Sequence, residues 1–275
     1  MKIALREVRL MGQVQRLRPT RPISARSGVL GAGKPMVCIP LVGKNRGEII
    51  AEAENIPAIA PDIIELRVDA WDFIEDVSAS AGMVRSVRSI VKDTPMILTC
   101  RGDWEGGFKK VSDESKFSLY LEAAKYGLAD FIDVELAYGK ERIQTVLASL
   151  DGTDTSLIVS FHDFKKTPPR EDLADILKRE AETGAHVLKL AAMPVKEEDV
   201  LDVLYATLEA RRNFPAIPII TMSMGPMGAV TRIIGGLFGS DLTFAVGSKS
   251  SAPGQIPVAE LRKCFDVVYP TQTEE

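Results

Sequence analysis

One feature constrains this chain more than any other. From residue 35 onward, short apolar runs alternate with longer segments of mixed charge and helical spacing, eight times over. The runs are PMVCIPLV (35–42), DIIELRV (62–68), PMILTC (95–100), DFIDVEL (130–136), SLIVSF (156–161), AHVLKLAAM (185–193), AIPIITMS (216–223) and DLTFAVG (241–247). Runs of that length, rich in β-branched residues, predict buried strands. A strand-then-helix alternation implies parallel strands joined by crossover helices. Closing eight such units gives an α/β fold of the (β/α)8 TIM-barrel class, a single catalytic domain expected over 35–275. The open doubly wound sheet is disfavoured, because no G-x-G-x-x-G turn follows the first run.

The intervening segments carry helix signals. Over 112–127, Ser112 is a candidate N-cap beside Asp113 and Glu114, and Gly127 stands where a left-handed residue would stop the helix. The segment 170–184 closes on Gly184 in the same way, and 195–212 and 256–266 complete the pattern.

Residues 1–34 differ from the rest, with six arginines and two lysines against the single acid Glu7. They have no continuous apolar core of the ~7–15 residues that a secretory signal needs. An Arg-rich, acid-poor leader has the composition of an organellar transit peptide, but a basic N-terminal extension or hairpin is the default expectation. A net charge of −4 over 275 residues argues against a nucleic-acid partner, and no apolar run approaches the ~20 residues needed to span a bilayer. Cys38, Cys100 and Cys264 are scattered without a CxxC pair, as expected of thiols in a reducing cytoplasm. His162 and His186 are the only histidines and form no HxH pair, so neither a metal site nor a metal cofactor is expected.

In a (β/α)8 barrel the chemistry sits at the C-terminal ends of the strands. Unusual polar residues collect there. The second run carries Glu65, Arg67 and Asp69 on one face; Arg101 follows the third, with Glu105 in the loop RGDWEGG. The fourth holds Asp133 and Glu135; for these two, as for Glu65 and Arg67, a structural charge network inside the barrel is as good a reading as a functional one. The fifth runs into His162 and Asp163, the latter readable as a turn residue; Lys189 interrupts the sixth; TMSMGPMGAVTR leads from the seventh to Arg232. Trp104 and Met222, Met224 and Met227 read as packing, with the methionines able to wall a pocket.

Lys189 is the anomaly. An amine within an apolar strand is expected to favour its neutral form through desolvation, helped by neighbouring cations, and a neutral amine forms imines with ketones and aldehydes. A histidine beside it can move protons near neutral pH, and arginine offers a planar fork for a carboxylate or phosphate. The residues alone therefore point to a Schiff-base enzyme acting on a small anionic carbonyl compound.

Taken together, ELRVD (65–69), TCRGDWEGG (99–107), FIDVEL (131–136), SFHDF (160–164), KLAAMP (189–194), SMGPMGAVTR (223–232) and SAPGQI (251–256) resemble type I 3-dehydroquinate dehydratase, in family order and over about residues 35–268. The resemblance implies a shikimate-pathway lyase of aromatic amino-acid biosynthesis that converts 3-dehydroquinate to 3-dehydroshikimate without a cofactor. It implies that Lys189 forms the imine, that His162 is the general acid/base, and that Glu105 orients or tunes that histidine. It implies that Arg232 clamps the substrate carboxylate, that Glu65, Arg67 and Arg101 hold the ring hydroxyls, and that Ser251 and Gln255 lie on a closing loop. A cytoplasmic homodimer is the expected assembly. Phe161 and Thr231 depart from the more usual residues at their positions. The rivals are a class I aldolase or transaldolase-like barrel, whose second phosphate-binding turn is here SAPGQIP rather than a compact backbone nest, and a non-catalytic binding protein, against which intact Lys189, His162 and Arg232 argue.

Overall fold

The computed structural model describes residues 16–247 and 252–270. Two short strands, β1 (Ile23–Ala25) and β2 (Gly28–Leu30), form an antiparallel hairpin in which Ile23 faces Leu30. Eight barrel strands follow, β3 (Met36–Leu41), β4 (Ile63–Arg67), β5 (Met96–Thr99), β6 (Phe131–Glu135), β7 (Ser156–Asp163), β8 (Val187–Ala192), β9 (Ile219–Ser223) and β10 (Leu242–Val246), and a two-residue strand, β11 (Ile256–Pro257), pairs in parallel with β10. All eight barrel strands fall on the runs read from the sequence. Each pairs in parallel with the next from β3 to β9, and β10 returns to pair with β3, Thr243 opposite Val37. The Asp241 N–H donates to the Ile219 carbonyl at 2.6 Å, joining β9 to β10 and closing the barrel.

Strand alternation sorts each strand's side chains into two cores. Ile64, Leu66, Ile132, Val134, Leu188 and Leu190 face outward and pack under the helices. The inward-facing residues divide by height. Near the strand starts they are apolar, with Ile63, Ile97, Phe131, Ile158 and Val187 meeting Ala25 and Leu30 of the hairpin, which plugs this end. Toward the strand ends they become polar: Glu65, Thr99, Asp133, Ser160 and Lys189.

The helices start and stop where local chemistry directs. The Ser112 hydroxyl accepts the Ser115 N–H, capping the helix Asp113–Lys125, and Gly127 ends it at φ +60°. Gly184, at φ +90°, turns the chain after Arg170–Glu182, a backbone conformation that costs a residue with a Cβ. The further helices Glu197–Asn213, Gly225–Phe238 and Val258–Val268 follow β8, β9 and β10. Among the described residues no helix is long and apolar enough to cross a membrane.

Candidate active site

The polar upper layer of the barrel opens into a pocket of about 450 Å³. Eight of the nine residues singled out from the sequence line it: Lys189, His162, Glu105, Glu65, Arg67, Arg101, Arg232 and Gln255. The ninth, Ser251, lies outside the described residues.

Lys189 projects inward from β8 and is only 3% exposed. Its Nζ donates to Asp133 Oδ2 at 2.7 Å and to Glu65 Oε1 at 3.3 Å, and stands 4.9 Å from the centre of the Phe244 ring. This corrects one expectation. The apolar neighbours in sequence, Leu188 and Leu190, point outward, so the amine meets the inner faces of β4 and β6, which carry carboxylates. Its setting is an ion-pair cluster rather than an apolar slot.

Asp133 anchors that cluster. Its Oδ1 accepts from Ser160 Oγ at 2.6 Å and pairs with Arg101 at 2.8 Å. Burial alone would raise this carboxyl, but Arg101 and Lys189 override it and hold Asp133 far below the usual carboxylate range. Arg101 also donates to Ser160 Oγ at 2.8 Å and pairs with Glu135 at 3.1 Å. Burial works against its charge, yet Asp133, Glu135 and Glu105 together raise the guanidinium well above its ordinary value. Arg67 uses two nitrogens of its fork on Asp69, at 2.9 and 2.8 Å, and lies over the Phe108 ring. Asp69 in turn accepts the backbone N–H groups of Arg101 and Phe108, fixing the loop that carries Glu105.

Glu105 Oε2 lies 3.0 Å from both the backbone N and the Nδ1 of His162. Burial pushes the Glu105 carboxyl up to about 8, against the pull of Arg101. Burial, with Arg101 and Lys189 nearby, pushes His162 well below its ordinary value. The imidazole is therefore neutral at neutral pH. With the shared proton assigned to Nδ1, the other ring nitrogen, Nε2, is left with a lone pair.

Arg232 enters from the helix Gly225–Phe238 and is 2% exposed. Its Nη2 donates to the Pro253 carbonyl at 3.1 Å, its Nε has no hydrogen-bond partner, and among the described residues no carboxylate pairs with it. Burial alone pushes this guanidinium down to about 10, so the site holds a cation whose partner would be an anion. Thr231 beside it accepts the Ser223 N–H at 3.0 Å and donates to the Gly228 carbonyl at 2.7 Å, tying the helix start to β9. Met222, Met224, Phe244 and Ala191 make the apolar wall.

Two methionines thus wall the pocket, while Met227 is partly exposed. Trp104 packs edge-on against Tyr138 while remaining 55% exposed, so its packing is at the surface of the loop. Asp163 is a turn residue, accepting the N–H groups of Lys165 and Lys166. The charge network expected around Asp133 is present, with Arg101 and Lys189 as its cations; the sequence carries no sign of the Lys189 contact, which arises only when β6 and β8 curl toward one another.

A family profile for type I 3-dehydroquinase matches residues 37–272. The chain is 39% identical to the 3-dehydroquinate dehydratase of Bacillus licheniformis over 90% of this chain and 97% of that one. It is 38% identical to the Klebsiella pneumoniae protein of the same name, over 90% and 99%. Among solved structures, the Geobacillus kaustophilus 3-dehydroquinate dehydratase superposes with a TM-score of 0.90 at 37% identity, covering 94% of this chain and all of the other. The type I enzyme from Clostridium difficile, solved with covalently modified comenic acid, gives 0.86 at 39% identity, covering 90% and 98%.

Proposed function

The chain belongs to the type I 3-dehydroquinase family, whose enzymes dehydrate 3-dehydroquinate to 3-dehydroshikimate through a lysine Schiff base, and we propose that Lys189 is the lysine that carries the reaction here. The observation behind this assignment is the placement of its Nζ, buried between Asp133 and Glu65 in a pocket that also holds His162 and Arg232, an arginine that pairs with no carboxylate among the described residues.

The amine must lose a proton before it attacks the C3 carbonyl carbon. Two proton transfers then release the carbonyl oxygen as water and leave a protonated imine. That cation occupies the place of the ammonium, so Asp133 and Glu65 stabilise it with little rearrangement. The iminium draws electrons from the ring, and His162 Nε2 removes the C2 proton to give an enamine. Collapse of the enamine expels the C1 hydroxyl, to which His162 returns the proton, and a second water leaves. One water then hydrolyses the imine and frees Lys189. The net change is the loss of one water.

Glu105 holds His162 in the tautomer this sequence requires. Arg232 pairs with the substrate carboxylate, while Glu65, Arg67 and Arg101 face the ring hydroxyls and Gln255 lines the pocket beside them. The same reading makes the chain a cytoplasmic enzyme of the shikimate pathway, with residues 1–34 an extension on one catalytic domain over 35–275. It also makes it a homodimer, a reading supported by the large apolar side chains Leu201, Tyr205, Met227 and Val230 exposed on the two neighbouring helices Glu197–Asn213 and Gly225–Phe238.

Borohydride added during turnover of 3-dehydroquinate, followed by mass spectrometry, tests the assignment. A reduced adduct on Lys189 that disappears in Lys189→Ala is the expected result. No adduct, together with no absorbance rise from 3-dehydroshikimate, would sink it.

A further inference from the structure

The helix Arg170–Glu182 packs on β7 and β8 through Leu173, Ile176, Leu177 and residue 180, a spacing of three, one and three that defines one apolar stripe. The fourth position of that stripe is an acid. Glu180 is fully buried, 0% exposed, where helical periodicity calls for a leucine. Buried carboxyls are costly unless they are paired or neutral, so this one stands out against the rest of the helix.

Its partner is the residue on which the chemistry turns. Glu180 Oε2 accepts the backbone N–H of Lys189 at 3.0 Å, while Oε1 is buried with no hydrogen-bond partner. Lys189 is thus gripped from both sides of the barrel wall. Carboxylates of β4 and β6 hold its amine inside, and a carboxyl from the outer helix layer holds its main chain behind.

Accepting Lys189 as the imine-forming residue, we propose that Glu180 is a positioning residue for it, a neutral acid whose acceptor oxygen fixes the Lys189 backbone and so sets where Nζ meets the ketone. Burial drives the Glu180 carboxyl well above its ordinary range, with Glu105 and Asp133 adding to the effect. The unpartnered Oε1 agrees with this, because a carboxylate oxygen would carry charge into a site that offers it nothing. Glu180 does not line the pocket, so it acts only through the lysine.

The proposal separates from a structural role by the rate of imine formation per folded site. Rapid mixing with 3-dehydroquinate, a borohydride quench and mass spectrometry give that rate for wild type, Glu180→Gln and Glu180→Leu, with circular dichroism counting folded protein. The amide keeps a carbonyl acceptor, so Glu180→Gln should stay within about twofold of wild type. Glu180→Leu leaves the Lys189 N–H unheld and should slow imine formation by about tenfold to a hundredfold, the range expected from small misplacements of a reacting group. Infrared difference spectra of wild type against Glu180→Gln should show the carbonyl stretch of a protonated carboxyl, a readout that stands even if Glu180→Leu does not fold. A wild-type rate in Glu180→Leu, an equal loss in Glu180→Gln, or no protonated-carboxyl band would overturn the proposal. Failure of the Schiff-base reading is recognised separately, since wild type itself would then form no adduct.

Discussion

Lys189 Nζ and Asp133 Oδ2 meet at 2.7 Å across the barrel mouth, from strands that are separated by β7 and never pair. Asp133 also binds Arg101 and Ser160, so one carboxylate holds both the Lys189 amine and the Arg101 guanidinium, which lies 4.0 Å from Glu105. Asp133→Asn should slow imine trapping by about 10²-fold. It should also cost about 3 kcal/mol of stability, because two buried cations lose part of their charge partner. Urea melts beside quenched-flow trapping check both effects, and an unchanged trapping rate would show that Glu65 suffices.

In the proposed mechanism His162 moves protons and Lys189 forms the covalent bond. His162→Ala should lower kcat by about 10²–10⁴-fold while Lys189 still yields a borohydride adduct. Because burial depresses the His162 pKa, the acid limb of the kcat profile should fall below 6.5, the ordinary imidazole value. A limb at or above that value would contradict the proposed environment.

Glu105 gives a stability test with a defined sign. Its folded pKa of about 8 exceeds its ordinary 4.5, so between those values the folded chain keeps a proton that the unfolded chain has released. The stability contributed at this position is therefore lost as pH rises through that window. Glu105→Gln removes the titration. Its stability relative to wild type should climb from pH 4.5 to about 8 and then level off, as measured by denaturant melts at each pH.

Arg232 is a buried cation without a carboxylate partner among the described residues. Arg232→Leu should raise KM for 3-dehydroquinate by about tenfold to a hundredfold, the worth of a charge-assisted hydrogen-bonded pair. It should leave the melting temperature level or higher, since an uncompensated charge is removed. A fall in melting temperature with KM unchanged would recast Arg232 as a structural residue.

The strands were legible because alternation and apolar run length are local properties, and all eight were located by them. Lys189 was legible as an anomaly for the same reason. Its surroundings were not, because residues adjacent in sequence point to opposite faces of a strand. The carboxylates that reach it come from β4 and β6, and only barrel curvature brings them near. Lys116 and Glu180 show the limit more sharply. Both sit on helices whose mixed charge suggests solvent, yet both are buried, Lys116 paired with Glu135 and Glu180 with the Lys189 backbone. Trp104 shows the converse: a large apolar side chain on a loop can pack against a neighbour, here Tyr138, and still stay exposed.

The hairpin beneath the barrel makes the pocket a blind chamber rather than a passage. Among the described residues the foot of the barrel is sealed, so the pocket exchanges with solvent at the end where Lys189 lies. On the proposed chemistry, water expelled from the substrate leaves past a ring tethered to Lys189, and the water that hydrolyses the imine arrives from that same end.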